Sequence, residues 1–192
     1  MKVLCVDVET TGLPKTKGFD RYYPPHEFDK YELSRIVSIA VVCDDGFEKY
    51  SIIRPDTFTI FNSDFHGITQ EEAIKNGITL EEFFDNDIVS RLIESTVVTG
   101  HNIMFDVHIL RSELLRINFF GLEDILSKKD YYCTMKYGRD YLKQYKYPKL
   151  GELYQKLFNK NAIKLHNALN DAKYTLECFT KIYIEQNNIY HT

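Results

Sequence analysis

Val6-Asp7-Val8-Glu9-Thr10-Thr11-Gly12-Leu13 closes an apolar run that starts near the N-terminus. Residues 2–8 read as a buried strand, which the Thr-Thr-Gly after it brings to an end. Side chains alternate along a strand, so Asp7 and Glu9 share one face. Two like charges about 4 Å apart repel by roughly 4 kcal/mol at an effective dielectric of about 20. A divalent cation removes that cost, and hard carboxylate oxygens favour Mg²⁺ or Mn²⁺ over zinc.

Two further segments have the same character. His101-Asn102-Ile103-Met104-Phe105-Asp106 follows a short strand and brings Asp106 to the start of a helix. His166-Asn167-Ala168-Leu169-Asn170-Asp171 leads into the last helix, with Asp171 in its first turn. Each acid stands where a buried element meets a loop. Taken singly, Asp106 and Asp171 read equally well as helix N-terminal acids, and Asn102 as a cap. Together, four carboxylates and the imidazole of His166 meet the needs of two-metal phosphodiester hydrolysis.

Outward from these segments, Ile36–Cys43 and residues 47–54 read as second and third strands. Asp44-Asp45-Gly46 is a hairpin turn between them, so three antiparallel strands come first. Thr69-x-x-Glu72 and Thr79-x-x-Glu82 fit capping boxes. The second opens a helix carrying Leu80, Phe83, Phe84, Ile88, Leu92 and Ile93. Val97–Gly100 reads as a strand, residues 105–117 as a helix and residues 131–135 as a last strand. Helical spacing then runs from Leu150 to Phe158 and through Ala172, Leu176, Phe179 and Tyr183. The order predicts one α/β domain over residues 1–192, with a mixed five-stranded sheet flanked by helices.

Composition sets outer limits. The chain is 44% hydrophobic and 27% charged, as soluble proteins are. No apolar run approaches the roughly 18–20 residues a membrane span needs. Lys2 and the short apolar run before Asp7 do not make a signal peptide, which points to an intracellular place, cytoplasmic or nuclear. Cys5, Cys43, Cys133 and Cys178 are far apart and read as small buried hydrophobes. A net charge of −4 argues against a protein that coats nucleic acid, but not against a nuclease built on acids.

The three segments resemble the three motifs of the DEDDh 3′–5′ exonuclease family, within the ribonuclease H-like superfamily. His66-Gly67-Ile68-Thr69 and Leu150-Gly151-Glu152-Leu153 are similar to further family signatures. Within the family, the pattern looks most similar to the proofreading epsilon subunit of bacterial DNA polymerase III. The resemblance implies that Asp7, Glu9 and Asp171 hold the metal that activates water. Asp7 also reaches a second Mg²⁺ or Mn²⁺, supported by Asp106 directly or through water. His166 takes the proton from the attacking water. Thr10, Thr11, Gly12 and Leu13 would bind the terminal nucleotide, by backbone amides and a Leu13 wedge, with His66 and Phe105 as further contacts. Asn102 would order the site through hydrogen bonds, and for Phe105 a place in the core is nearly as good a reading.

The activity this implies is release of nucleoside monophosphates from the 3′ end of single-stranded DNA, in proofreading or repair, with a polymerase or repair partner. An exoribonuclease of the RNase T or oligoribonuclease type is the alternative, and a catalytically silent nucleic-acid-binding module is a second. Residues 128–149 hold seven Lys or Arg against two Asp, interleaved with six tyrosines. That mixture suits a single strand, or else a solvated helix face with tyrosines on the core. Residues 14–35 read as a long irregular stretch that could form a substrate lid, a docking element or a plain surface loop.

Overall fold

The computed structural model describes residues 1–188. Five strands, β1 (Val3–Thr10), β2 (Ile36–Cys43), β3 (Glu48–Ile52), β4 (Val97–Gly100) and β5 (Tyr131–Cys133), form one sheet in the order β3-β2-β1-β4-β5. Pairing is antiparallel from β3 to β1 and parallel from β1 to β5. The three-strand meander is as the sequence predicts, and Gly46 takes the positive φ (90°) of its turn. All eight residues of β2 are buried, because helices cover both faces.

Helices α1 (Ser63–His66), α2 (Gln70–Asn76), α3 (Leu80–Phe83) and α4 (Asn86–Glu94) precede β4. After it come α5 (Ile103–Arg116), α6 (Phe120–Ser127), α7 (Thr134–Tyr141), α8 (Leu150–Phe158) and α9 (Ala168–Asn188). The alternation of β1 sorts its side chains. Leu4, Val6 and Val8 join the core shared with α4, α5 and α6. Cys5 packs on the other face against Ala40, Val42, Ala168 and Ala172. Asp7 and Glu9 follow Cys5 onto that α9 face. Ala168 and Ala172 are fully buried, and their small side chains let the first turns of α9 lie close on β1 and β2.

Four sequence expectations change in detail. The last strand, expected over residues 131–135, ends at Cys133, where α7 begins at once. The helix expected from Leu80 to Ile93 is two helices, because the Asp85 side chain accepts from the Ile88 N–H (3.1 Å) and caps a new start. Ile93 consequently stays exposed. At Thr79 the capping box is complete, whereas at Thr69 only the threonine arm forms. Helix α5 begins two residues early, because Asn102 takes a left-handed turn (φ 68°) that side chains other than Asn and Gly rarely adopt. All four cysteines are free and buried. No helix among the described residues is long and apolar enough to cross a membrane.

Candidate active site

Asp7, Glu9 and Asp171 come together where β1 ends and α9 begins. One carboxylate oxygen from each lies within 4.8 Å of the others. A register shift in the β1–β2 pairing falls between Glu9 and Thr10. Asp7 and Glu9 therefore keep their shared face, and only the chain beyond them is re-aimed. Asp106 approaches from the α5 side, nearly buried, and its Oδ1 accepts from the Val8 N–H (3.0 Å). That bond places the fourth acid behind the cluster rather than within it. Gly100 makes the approach possible, since a Cβ there would sit 2.5 Å from Ile103 Cδ1 and 3.2 Å from the Val6 carbonyl oxygen.

Burial pushes all four carboxyl groups above their ordinary range. Asp7 rises well above it, first from burial and then from the charges of Asp106, Asp171 and Glu9. Asp106 does the same, held back in part by its backbone hydrogen bonds. Glu9 is pushed up to about 7 by burial and Asp171, and Asp171 to about 6 by burial. Asp171 Oδ1 is buried with no hydrogen-bond partner, beside two other acids. An all-oxygen set with an orphaned buried carboxylate oxygen fits Mg²⁺ or Mn²⁺, which would satisfy the oxygen and keep the cluster ionised.

His166 is exposed beside this cluster. Its backbone is left-handed (φ 66°) and its N–H donates to Asp171 Oδ2 (3.0 Å), so the residue steadies an acid as well as presenting an imidazole. The ring lies against Phe65, with centroids 4.2 Å apart. Phe65 is an exposed aromatic that the motif reading missed, although it stands immediately before His66-Gly67-Ile68.

The remaining candidates divide. Thr10 Oγ1 donates to the Gly12 carbonyl (2.7 Å), which tightens the turn after β1. Leu13 is 77% exposed and, with Thr11, Gly12, Leu33 and Phe61, lines a cavity of about 410 Å³. The Thr11 N–H, however, donates to the Arg35 carbonyl (2.9 Å), so that amide is already engaged. Arg35 is itself buried in an ion pair with Glu113 (2.6 Å). His66 is buried with both ring nitrogens occupied, by the Ile68 N–H (3.1 Å) and by Asn62 Oδ1 (3.2 Å). Asn62 in turn donates to the Thr10 carbonyl (2.9 Å), so His66 shapes the turn after β1 from behind. Phe105 is half-buried and packs against the main core. Asn102 stands beside Tyr22, a neighbour the sequence did not indicate.

A family model described as RNase_T, exonuclease, matches residues 4–179. Among curated proteins, no match is found. Escherichia coli exonuclease I in complex with a 5cy-dT13 oligonucleotide superposes with a TM-score of 0.69 at 17% identity, covering 99% of this chain and 42% of that one. Exonuclease I from Methylocaldum szegediense gives 0.65 at 19%, covering 96% and 40%. The Mg²⁺- and Mn²⁺-bound form of Schizosaccharomyces pombe Pop2p gives 0.63 at 15%, covering 94% and 82%. The chain thus spans about two fifths of the exonuclease I chains and most of Pop2p. At these identities the likeness shows the α/β exonuclease fold, a mixed five-stranded sheet flanked by helices. On the family match from residue 4 to residue 179, the chain belongs to the RNase_T exonuclease family.

Proposed function

We propose that this chain is a metal-dependent 3′–5′ exonuclease that releases nucleoside monophosphates from the 3′ end of single-stranded DNA. The observation that carries the reading is the convergence of Asp7, Glu9 and Asp171 within 4.8 Å, backed by Asp106 and flanked by His166, in a member of an exonuclease family. Two Mg²⁺ or Mn²⁺ ions would supply a water of lowered pKa and charge stabilisation for the leaving 3′ oxygen. Asp7, Glu9 and Asp171 would hold the first ion, and Asp7 with Asp106 the second. His166 accepts the proton from the attacking water at a ring nitrogen, from an exposed position that lets the proton pass on to solvent. The cavity along residues 11–13 takes the terminal nucleotide, with Leu13 and Phe65 as apolar contacts to its base.

DNA is the first choice of substrate because the exonuclease I relatives are described with single-stranded DNA. RNA is the second reading, supported by similarity to the RNase domain of yeast Pop2. A proofreading or repair role, with a polymerase partner, rests on the resemblance of the motifs alone. The test is product identity. Single-stranded DNA and RNA of matched sequence, incubated with Mn²⁺, should yield nucleoside 5′-monophosphates as the first products by anion-exchange chromatography. Oligonucleotide fragments appearing before mononucleotides would overturn the exonuclease reading.

A further inference from the structure

Residues 14–35 and 128–149 are separate in sequence, and the structure joins them. Phe19 stacks on Tyr147 with ring centroids 5.0 Å apart and planes 19° from parallel. Asp20 ion-pairs with Lys136 of α7. The Arg139 guanidinium lies 4.6 Å from the Tyr147 ring centroid and donates to its hydroxyl (2.9 Å). The loop after β1 is therefore strapped to α7 and the segment following it. From the strap the chain turns inward, and Tyr22 stacks on His108 of α5 (4.7 Å, 15°). Its hydroxyl reaches the Asn102 side chain and feels the charge of Asp106, one of the four acids. The two segments thus form one surface that ends at the carboxylates.

Topology fixes which side of the site this surface occupies. Along the edge where β1 ends, residues 10–13 and α1 lie towards β2, while α5 and α7 lie towards β4 and β5. If the terminal nucleotide takes the β2 side, the strand leading to it must leave across the β4–β5 side. The surface there is cationic on an acidic protein. Residues 14–23 and 136–149 carry eight Lys or Arg and two Asp, in a chain of net charge −4. Asp20 pairs with Lys136 and Asp140 with Arg139, leaving six cations without an ion pair among the described residues. Phe19 is 62% exposed and Tyr145 fully exposed, so aromatic faces stand among the cations. By contrast, Lys128 pairs with Asp124 and Lys129 caps carbonyls of Ile93 and Ser95, at the opposite edge of the sheet.

We propose that residues 16–23 and 136–147 form one wall that binds the polynucleotide on the 5′ side of the scissile bond, by phosphate contact and base stacking, with Tyr22 at its inner end. The inference rests on the exonuclease reading for its polarity, and a strand-binding measurement separates the two. The variants are Phe19→Ala and the double change Lys143→Glu with Lys146→Glu, all at exposed positions. Two substrates are compared with Mn²⁺: a single-stranded 20-nucleotide DNA, and the p-nitrophenyl ester of thymidine 5′-monophosphate, which has no upstream nucleotide. The ratio of kcat/KM for the DNA over the ester should fall about ten-fold or more in each variant, and the salt dependence of DNA cleavage should flatten in the double lysine variant and stay unchanged in Phe19→Ala. A ratio unchanged while both rates fall together would mean a merely structural role and overturn the wall. Fluorescence anisotropy of the labelled DNA in EDTA reads the wall without catalysis. Weaker binding by the variants there, with no hydrolysis by the wild type, would reject the exonuclease and keep the wall as a strand-binding surface. Unaltered binding would reject the wall.

Discussion

Removing one charge from the acid cluster should stabilise the metal-free protein and weaken its response to metal. Glu9 has a folded-state pKa of about 7 against an ordinary value of 4.5. Its folded pKa is the higher one, so the stability it contributes is present below about pH 4.5 and lost as pH rises through 7. At pH 7.5 the ionised carboxylate costs about 3 kcal/mol, from the difference between those two values at about 1.36 kcal/mol per tenfold change in proton affinity. Glu9→Gln keeps the shape and removes the charge. For a chain of this size about 1 kcal/mol moves Tm by roughly 2–4 °C, so the metal-free variant should melt about 6–12 °C higher. Wild type should gain a further increment from Mn²⁺, about 2.7 kcal/mol at a hundred times Kd, and the variant much less because a ligand is gone. Differential scanning fluorimetry in EDTA and in Mn²⁺ reads all four states. Equal metal-induced gains in both proteins, or a lower metal-free Tm for Glu9→Gln, would refute the metal-site argument.

Other expectations follow from neighbouring contacts. His166→Asn suits the left-handed backbone at that position and keeps the N–H to Asp171, so the Mn²⁺ gain in Tm should survive while kcat falls by about 10²–10⁴. Asp106→Asn retains an oxygen for the Val8 N–H, so circular dichroism and Tm should show a folded protein whose cleavage rate falls by at least about 100-fold. Burial lowers the His101 pKa to about 4 from 6.5. Its folded value is the lower one, so stability is full above about pH 6.5 and is lost as pH falls towards 4, by up to about 3 kcal/mol. The acid cluster gains stability over the same range, so the reading is a difference: by urea unfolding at pH 7 and pH 5, wild type should lose about 2 kcal/mol relative to His101→Asn, in which the cluster's contribution is the same. Glu113→Ala removes the buried partner of Arg35 and leaves it only the more exposed Asp56 (3.2 Å), so urea unfolding should show a loss of about 2–3 kcal/mol, with the effect reaching Thr11 through the Arg35 backbone.

Much of this site is legible in the chain of residues alone, for a physical reason. A carboxylate at the end of a buried element stands out against its apolar neighbours, and Asp7, Glu9, Asp106 and Asp171 each interrupt an apolar run at such a point. The limits of β2 and the meander can be read because its residues are apolar throughout and Asp44-Asp45-Gly46 admits one kind of turn. What brings Asp171 to Asp7 is not legible, since it depends on Ala168 and Ala172 sinking against Cys5 and Ala40 across the sheet. The break before α4 is hidden because Asp85 lies in an apolar pattern that continues through it. His66 and Thr11 carry the right motif, yet their polar groups are engaged inside the chain. Phe65 and Tyr22 leave no periodic signal at all, because loop residues reach a site through contacts distant in sequence.

The most direct test of the central claim is a time course on single-stranded DNA carrying a 5′ label, with Mn²⁺, for wild type and Asp7→Ala side by side. The account expects a ladder that shortens one nucleotide at a time from the 3′ end in wild type and intact substrate in the variant, although both bind the strand. A ladder of equal rate in Asp7→Ala, or no metal-dependent shortening by the wild type, would contradict the assignment of the carboxylate cluster as a nuclease centre.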